Sequence, residues 1–410
     1  MKKFLALFAV LALTMVSSAA FAEVSVSGSI DIRNLSTNNA SDMNSDKSDE
    51  NRTTQERIRI NVDAKHEGVK GRVTLENDWY VWGSATNGWA GSAVESKSGA
   101  LTIREGWIDF SMPFGMPGHV KVGHQMLQLG NGWFFRANKY GSDAWLIGFP
   151  GKNTFAFVDV KAAEGLNAGS DDVDAYVLLD TYKIDDKSSV GAYFVRVMDR
   201  QGKFMAGGGA DAEGTLDTIG LHYNGMVGPL KLAAEFDMQS GEADPGAGAA
   251  TTDLSGKQII VQASMPLDAL TINATFAMGS GDDATTAEEE GITVALDKDP
   301  HYTFVYEYFT KTAAGATNTG FANTTAMNLG ASYKVSGNVT VALDYWMLTA
   351  TEVGAGVDDE VGSEIDAKIL WKLNDNLSWN WSLGRFMPGK FYGANPDDVD
   401  AVQGILSYKF

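Results

Sequence analysis

Apolar and polar residues alternate along this chain with a period of two, and few architectures tolerate that pattern over so long a distance. Leu230, Leu232, Ala234, Phe236 and Met238 interleave with Lys231, Ala233, Glu235, Asp237 and Gln239. Leu270, Ile272, Ala274, Phe276 and Met278 do the same, as do Val339, Val341, Leu343, Tyr345 and Met347, and again Ile365, Ala367, Ile369, Trp371 and Leu373. Side chains on an extended strand point alternately to its two faces, so each segment has one apolar and one wet face. A soluble sandwich shows this alternation too, so other features must decide.

The segments run to about ten residues, the length that crosses a bilayer when tilted. Their connections alternate in length. Those at 113–118, 150–153, 184–187, 225–229, 266–269, 335–338 and 373–376 are tight. Long polar stretches lie between them, at 35–53, 80–98, 200–214, 240–256, 280–290, 311–325, 350–362 and 388–397. Short turns on one side and long loops on the other are the layout of a transmembrane barrel. Met1-Lys2-Lys3, the apolar run from Phe4 to Val16 and Ala20-Phe21-Ala22 have the form of a secretory signal peptide, removed after Ala22. The expectation is therefore all-β: a signal peptide at 1–22, then one transmembrane antiparallel β-barrel over 23–410. Counting by parity gives twenty candidate strands, with eighteen close behind. The weakest are the short segments 143–149 and 291–297. An even number brings both ends of the barrel to the periplasmic side.

The chain has no cysteine, so an exported fold must hold by hydrogen bonding and closure. Its formal charge is −20, and −22 without Lys2 and Lys3, which argues against nucleic acid as a partner. Neither a nucleophile elbow, a zinc spacing nor a phosphate loop is present, and there is no Cys-x-x-Cys-His haem site. The five histidines show no clear Ser or Asp partner in their sequence surroundings. We therefore expect no enzyme, no catalytic residue, no cofactor and no metal site. Asp42, Asn44, Asp46 and Asp49 approach a calcium-loop spacing, but Lys47 stands where glycine is needed. These residues, and the run Asp282, Asp283, Glu288, Glu289 and Glu290, read as solvated loops that gather divalent cations diffusely.

Val402, Leu406, Tyr408 and Phe410 share one face of the last segment. In this the sequence resembles the bacterial outer-membrane porins, which end in an alternating strand with a terminal aromatic. The resemblance implies that the barrel-assembly machinery reads this strand and that it closes on the first. A second local resemblance covers residues 104–145. Arg104-Glu105-Gly106-Trp107-Ile108-Asp109-Phe110, then Val120-Lys121-Val122-Gly123-His124-Gln125, then Leu129-Gly130-Asn131-Gly132-Trp133-Phe134-Phe135-Arg136 is similar to the middle of porins and alginate-export-type channels. It implies an inward loop near 126–140. His124 stands where that pattern has arginine, which weakens an alginate-like polymer as substrate.

A barrel's wet face looks into the lumen, where charge is solvated. Arg57 and Arg59 share one face, opposite Ile58, Ile60 and Val62, and Lys70 and Arg72 follow on the next segment. Arg104 and Lys121 extend this basic ladder, and Glu105, Asp109, His124 and Arg136 join the expected pore lining. Glu235, Asp237, Asp344, Glu364 and Asp366 fall inward by the same rule. Oppositely charged walls bias the passage of ions, although any wet wall also carries mutually paired charge. Trp79, Tyr80, Trp82, Tyr302, Tyr333, Tyr408 and Phe410 are expected in interfacial girdles. Together these features describe an outer-membrane porin passing small hydrophilic solutes by diffusion. A channel specific for anionic sugars or organic acids, and a sheath with a plugged lumen, stay open. The expected partners are outer-membrane lipid and lipopolysaccharide, the assembly machinery through Phe410, small solutes and, as an open alternative to a monomer, a homotrimer.

Overall fold

The computed structural model describes residues 23–47, 49–83, 100–165, 171–202, 212–246, 248–296 and 302–410. The expected signal peptide lies outside the described residues, as do His301 and parts of the loops at 80–98 and 200–214. Twenty strands follow in order: β1 (Glu23–Asn38), β2 (Asn51–His66), β3 (Val69–Val81), β4 (Thr102–Ser111), β5 (His119–Gln128), β6 (Phe135–Phe149), β7 (Asn153–Ala163), β8 (Val173–Lys183), β9 (Ser189–Asp199) and β10 (Glu213–Val227). The second half holds β11 (Leu230–Asp244), β12 (Thr252–Leu254), β13 (Lys257–Leu267), β14 (Leu270–Gly279), β15 (Ala295–Leu296), β16 (Thr324–Lys334), β17 (Val339–Ala350), β18 (Glu360–Lys372), β19 (Leu377–Pro388) and β20 (Val399–Lys409).

All but β12 and β15 form the wall. Each wall strand pairs antiparallel with the next. The last, β20, pairs back onto β1 from Ser29↔Lys409 to Asn38↔Asp400. The result is a closed barrel of eighteen strands in which each wall strand has a partner on both sides, so the sheet satisfies most of the wall's backbone groups internally. Segment 143–149 is a full wall strand, the turn-side half of β6. Segment 291–297 is not: among its described residues only Ala295–Leu296 is strand, and it runs parallel to Phe135–Arg136 inside the barrel. The described residues between β14 and β16, 280–296 and 302–323, thus form an excursion from the wall that carries a single helical turn, α1 (Tyr306–Phe309). This excursion is why the wall has eighteen strands rather than twenty.

The apolar faces look outward, and exposure shows it. Leu329, Leu343 and Met347 are 64%, 57% and 49% exposed, whereas Ala326 and Ile260, on the opposite face, are fully buried. No helix among the described residues is long and apolar enough to cross a membrane; an outward apolar face on a closed barrel is the form in which strands cross one. Phe155, Tyr182, Tyr333, Tyr408 and Phe410 stand exposed near the short-turn ends. They form the girdle expected there for three of the seven aromatics named from sequence. At the seam Phe410 exchanges backbone hydrogen bonds with Gly28, at 2.9 and 3.1 Å. A Cβ on Gly28 would lie 2.4 Å from the Arg59 carbonyl oxygen and 2.7 Å from the Phe410 ring, so only glycine admits that ring.

Candidate functional site: the lumen and its two inward segments

Strands β1 to β5 carry the basic ladder on their inner face. Arg57 and Asp31, opposite one another across β1 and β2, pair at 3.1 Å. Arg59 donates to Glu76, and Arg72 grips Asp63 with two nitrogens at 2.7 and 3.0 Å. Strict alternation would turn either Arg104 or Glu105 outward. A bulge opposite Thr74 and Leu75 removes that conflict, since a bulge sets two residues against one. Arg104 is thereby half-buried beside Glu76 at 3.6 Å and Glu105 at 3.7 Å. Its guanidinium also donates to the carbonyls of Lys139, at 2.8 Å, and Asn138. Lys121 lies 4.1 Å over the Trp107 ring, and Asp109 binds His119 at 3.0 Å. The ladder is an ion-paired lattice rather than a row of free cations.

Three positions differ from their expected places. Lys70 is exposed beside the β2–β3 turn, away from the Arg104 cluster. His124 alternates with the inward Lys121, Gly123 and Gln125, so its ring falls on the outer face. There it meets Asp143 at 2.8 Å and the Tyr140 carbonyl at 2.6 Å. These histidine–aspartate contacts cross between neighbouring strands, 10 and 19 positions apart, so they depend on the strand register rather than on adjacent residues. Trp79 is not part of a girdle. It sits in a register shift between β2 and β3 with φ of +33°, and both Arg33 and Arg57 lie over its ring, at 4.1 and 4.3 Å. A non-glycine residue held there costs about 1–3 kcal/mol, and two cation–π contacts of about 0.5–2 kcal/mol each offset it. Tyr80 and Trp82 both donate to Glu56. Tyr302 is also interior, stacked on Phe321 at 4.1 Å and edge-on to Trp346 at 5.5 Å.

On the other side of the ring the inward carboxylates have a different job. Between β5 and β6 the chain at 129–134 reaches the middle of β11. The Asn131 amide donates to Glu235 at 2.5 Å and the Phe134 amide at 3.2 Å, while the Asn131 side chain donates to the Ala234 carbonyl at 2.8 Å. Tyr193 donates to Glu235 and to Asp237, and Gln258 donates to Asp237 at 2.7 Å. The second inward segment repeats the device on β18. Amides of Phe304, Val305 and Tyr306 donate to Glu364 at 2.8, 2.6 and 2.7 Å, and that of Phe304 also to Asp366 at 3.2 Å. A Cβ on Gly384 would come within 2.6 Å of both Val305 and Asp366, so a bare backbone there admits the segment. Glu235, Asp237, Glu364 and Asp366 are 0–1% exposed: they are latches, not a solvated acidic wall. Asp344 is inward and only partly covered, opposite Gly330 and Asp366.

Among the described residues, two polar cavities lie against the inward segments within the lumen. The larger, about 670 Å³, is bordered by Trp133, Arg136, His222, Lys231, Tyr302 and Glu307, among others. Arg136 reaches it from the inward hairpin, bonded to Gln128 at 3.2 Å. The smaller, about 320 Å³, lies between α1 and the inner faces of β18, β20, β1 and β2. Its charged lining is Arg33, Arg57 and Lys368, with Trp79, Phe304 and Tyr308 as its aromatic groups. Sequence reasoning missed Arg33, Lys368 and Trp79, although parity alone places Arg33 on the same face as Asp31. Outside the lumen, the calcium-like spacing resolves into turn chemistry. Asp42 caps Asn44 and pairs with Lys47, and Asp49 accepts from Asn39 and Ser41.

A closed eighteen-strand wall, apolar without and charged within, crossed by two latched segments, is the build of an outer-membrane channel. The family model for Gram-negative porins matches residues 9–362, and the chain belongs to that family. By sequence alone, no curated protein is a detectable relative. Among solved structures the fold is similar to that of OccK2 (OpdF) of Pseudomonas aeruginosa. The TM-score is 0.61 at 13% identity, over 96% of this chain and 99% of that one. It is similar also to a BenF-like porin from Pseudomonas fluorescens Pf-5, with TM-score 0.61 at 12% identity over 96% and 100% of the two chains. A third, Pseudomonas aeruginosa OpdK with vanillate, has TM-score 0.59 at 11% identity over 94% and 98%. The protein is an outer-membrane porin, and as such meets outer-membrane lipid outside and small solutes within.

Proposed function

We propose that this porin passes small hydrophilic solutes down their gradients and favours anions, with no covalent step. One observation carries the preference: the smaller lumen cavity is lined by Arg33, Arg57 and Lys368 and by no carboxylate. The acidic side of the lumen is spent on holding the inward segments, so its charge is withdrawn from the solute path. An anion leaving bulk water exchanges hydration for guanidinium and ammonium donors, and the stacked Trp79 presents a flat apolar surface to its carbon skeleton. Cationic lining in a narrow low-dielectric passage raises local anion concentration. The inward hairpin at 126–140 and the segment around α1 are the elements that narrow the route. OccK2 was also solved in complex with glucuronate, and OpdK with vanillate. Organic anions of that size are accordingly our first candidates here. The exposed aromatic end, Tyr408 and Phe410, supports reading by the barrel-assembly machinery.

The test is the reversal potential of the purified protein in a salt gradient across a planar bilayer. Anion selectivity, with current block by an aromatic or sugar carboxylate, supports the reading. Cation selectivity overturns it.

A further inference from the structure

Beyond the solute path, the barrel holds a separate chamber whose chemistry is the reverse of the lumen's. We propose that it is a binding site for a single unbranched alkyl chain with an uncharged or cationic head, entered from the outer face of the wall. The chamber measures about 450 Å³, within the range of small-molecule sites. Its wall side is made by inner-face residues of β7 to β10: Val158, Val160, Val173, Val177, Val195 and Leu216, each 4–6% exposed. Its lumen side is closed by Leu127, Phe134 and Val294 of the two inward segments. From β6 to β10 the lining spans four inter-strand spacings, about 19 Å, so the space is elongated.

Its opening follows from the register. β6 and β7 pair only from Asp143↔Lys161 to Phe149↔Phe155. Before Asp143 the chain leaves the wall, with a jump from Gln125↔Ser142 to Leu127↔Ala137 in its pairing with β5. The outer end of β7 is therefore held only by β8, through Ala163↔Val173. The chamber reaches this parting. His124, Asp143 and Lys161, all on the outer face, border it together with the inner-face valines. An apolar slot with polar groups at one end matches an amphiphile rather than a sugar or an ion. The head follows from charge. Lys161 is already held by Asp172 and Asp174, both at 2.7 Å, and Asp143 holds His124, so a carboxylate head meets an acidic mouth.

The experiment uses the full barrel in nanodiscs and displacement of N-phenylnaphthylamine fluorescence by octanol, decanol and dodecanol. Affinity should rise about fourfold per methylene. Dodecyltrimethylammonium should bind at least as well as dodecanol, and dodecanoate less well. Val177→Trp, which fills the slot, should lower dodecanol affinity tenfold or more while leaving single-channel conductance unchanged. Ala175→Leu, a smaller filling, keeps the test alive if the tryptophan variant does not assemble. Absence of chain-length dependence, or undiminished affinity in both variants, overturns the site, and a preference for dodecanoate overturns the assigned head. The native mass spectrum distinguishes the sources, since a retained single-chain lipid makes the bilayer the donor, a bare barrel makes it a free amphiphile, and a retained two-chain phospholipid overturns the assigned ligand. None of these readouts depends on ion selectivity, so failure here leaves the channel reading intact.

Discussion

The inner wall of β1–β5 and that of β6–β9 are built from the same strand geometry but opposite chemistry. In the first sector the inward positions are Asp31, Arg33, Arg57, Arg59, Asp63, Arg72, Glu76, Glu105 and Lys121, tied together by ion pairs, by the bonds of Arg33 to Gln55 and Tyr308, and by the contact of Lys121 with Trp107. In the second they are Ala144, Val158, Val160, Val177 and Val195, packed under Leu129 and Phe134. The contrast teaches that a porin's interior is not wet by rule. It is wet where water stays and apolar where a segment of the same chain lies down on it. Covering that surface needs an anchor, and the buried carboxylates on β11 and β18 supply it. An isolated buried charge is expensive unless its hydrogen bonds are supplied, and here backbone amides supply them.

The sharpest way to break this picture is to remove an anchor. Glu364→Ala leaves the amides of Val305 and Tyr306 without their acceptor and that of Phe304 with Asp366 alone, at about 1–3 kcal/mol for each orphaned buried donor. We expect the free energy of urea unfolding to fall by several kcal/mol, read as a lower midpoint, together with a larger, noisier single-channel conductance. Glu364→Gln, which keeps one acceptor oxygen, should lose less. The next test sets the two sectors against each other. Val177→Asp places a charge in the apolar sector and should destabilise by about 2–5 kcal/mol, while Ser264→Asp, beside the larger lumen cavity, should stay within about 0.5 kcal/mol. Equal losses would erase the distinction.

Selectivity offers a finer cut. Replacing Arg33, Arg57 and Lys368 by glutamine should move the reversal potential strongly toward cations. The same treatment of Arg59, Arg72 and Arg104 should move it in the same direction but less, because neither lumen cavity is lined by those three. A larger shift from the second set would relocate the selective region to the ladder. The smallest effect concerns the rim above β1 and β20. Ser45 donates its amide and hydroxyl to Asp397 at 2.7 and 2.8 Å, which holds that carboxyl below the ordinary aspartate range. A group whose folded value is depressed contributes above its unfolded value, near 3.9, and ceases to contribute as pH falls through the folded one. Protease nicking within 41–47 should therefore increase only below about pH 4, and Asp397→Asn should remove that dependence.

Much of this was legible in the residues, and the failures share a cause. The alternation at 230–239, 270–279, 339–347 and 365–373 identified wall strands, and all seven tight connections noted there fall between wall strands. Parity also put Glu235, Asp237, Glu364 and Asp366 inside. It could not say that they would be covered, because the donors that cover them lie 21–104 positions away in sequence. Periodicity also hides bulges, hence the inward turn of Arg104 and the removal of Trp79 from the rim. One signal went unread. Around Phe155-Ala156-Phe157-Val158 and Tyr193-Phe194-Val195 the alternation lapses into continuous apolar runs. A wall strand apolar on both faces meets lipid on the outer one and packed apolar side chains on the inner, and that lapse marks the sector on which the inward hairpin rests.

The pairing of Ser29 with Lys409 joins residues 380 positions apart. No ring can exist until both partners are present, so closure is the last event of folding, and its rate carries the entropic burden of the longest loop in the molecule. Until then the sheet has two raw edges and a greasy exterior, a state prone to stick to its own copies. A chain built this way needs escort between synthesis and membrane, and its seam is where an inhibitor of assembly, rather than of transport, would act.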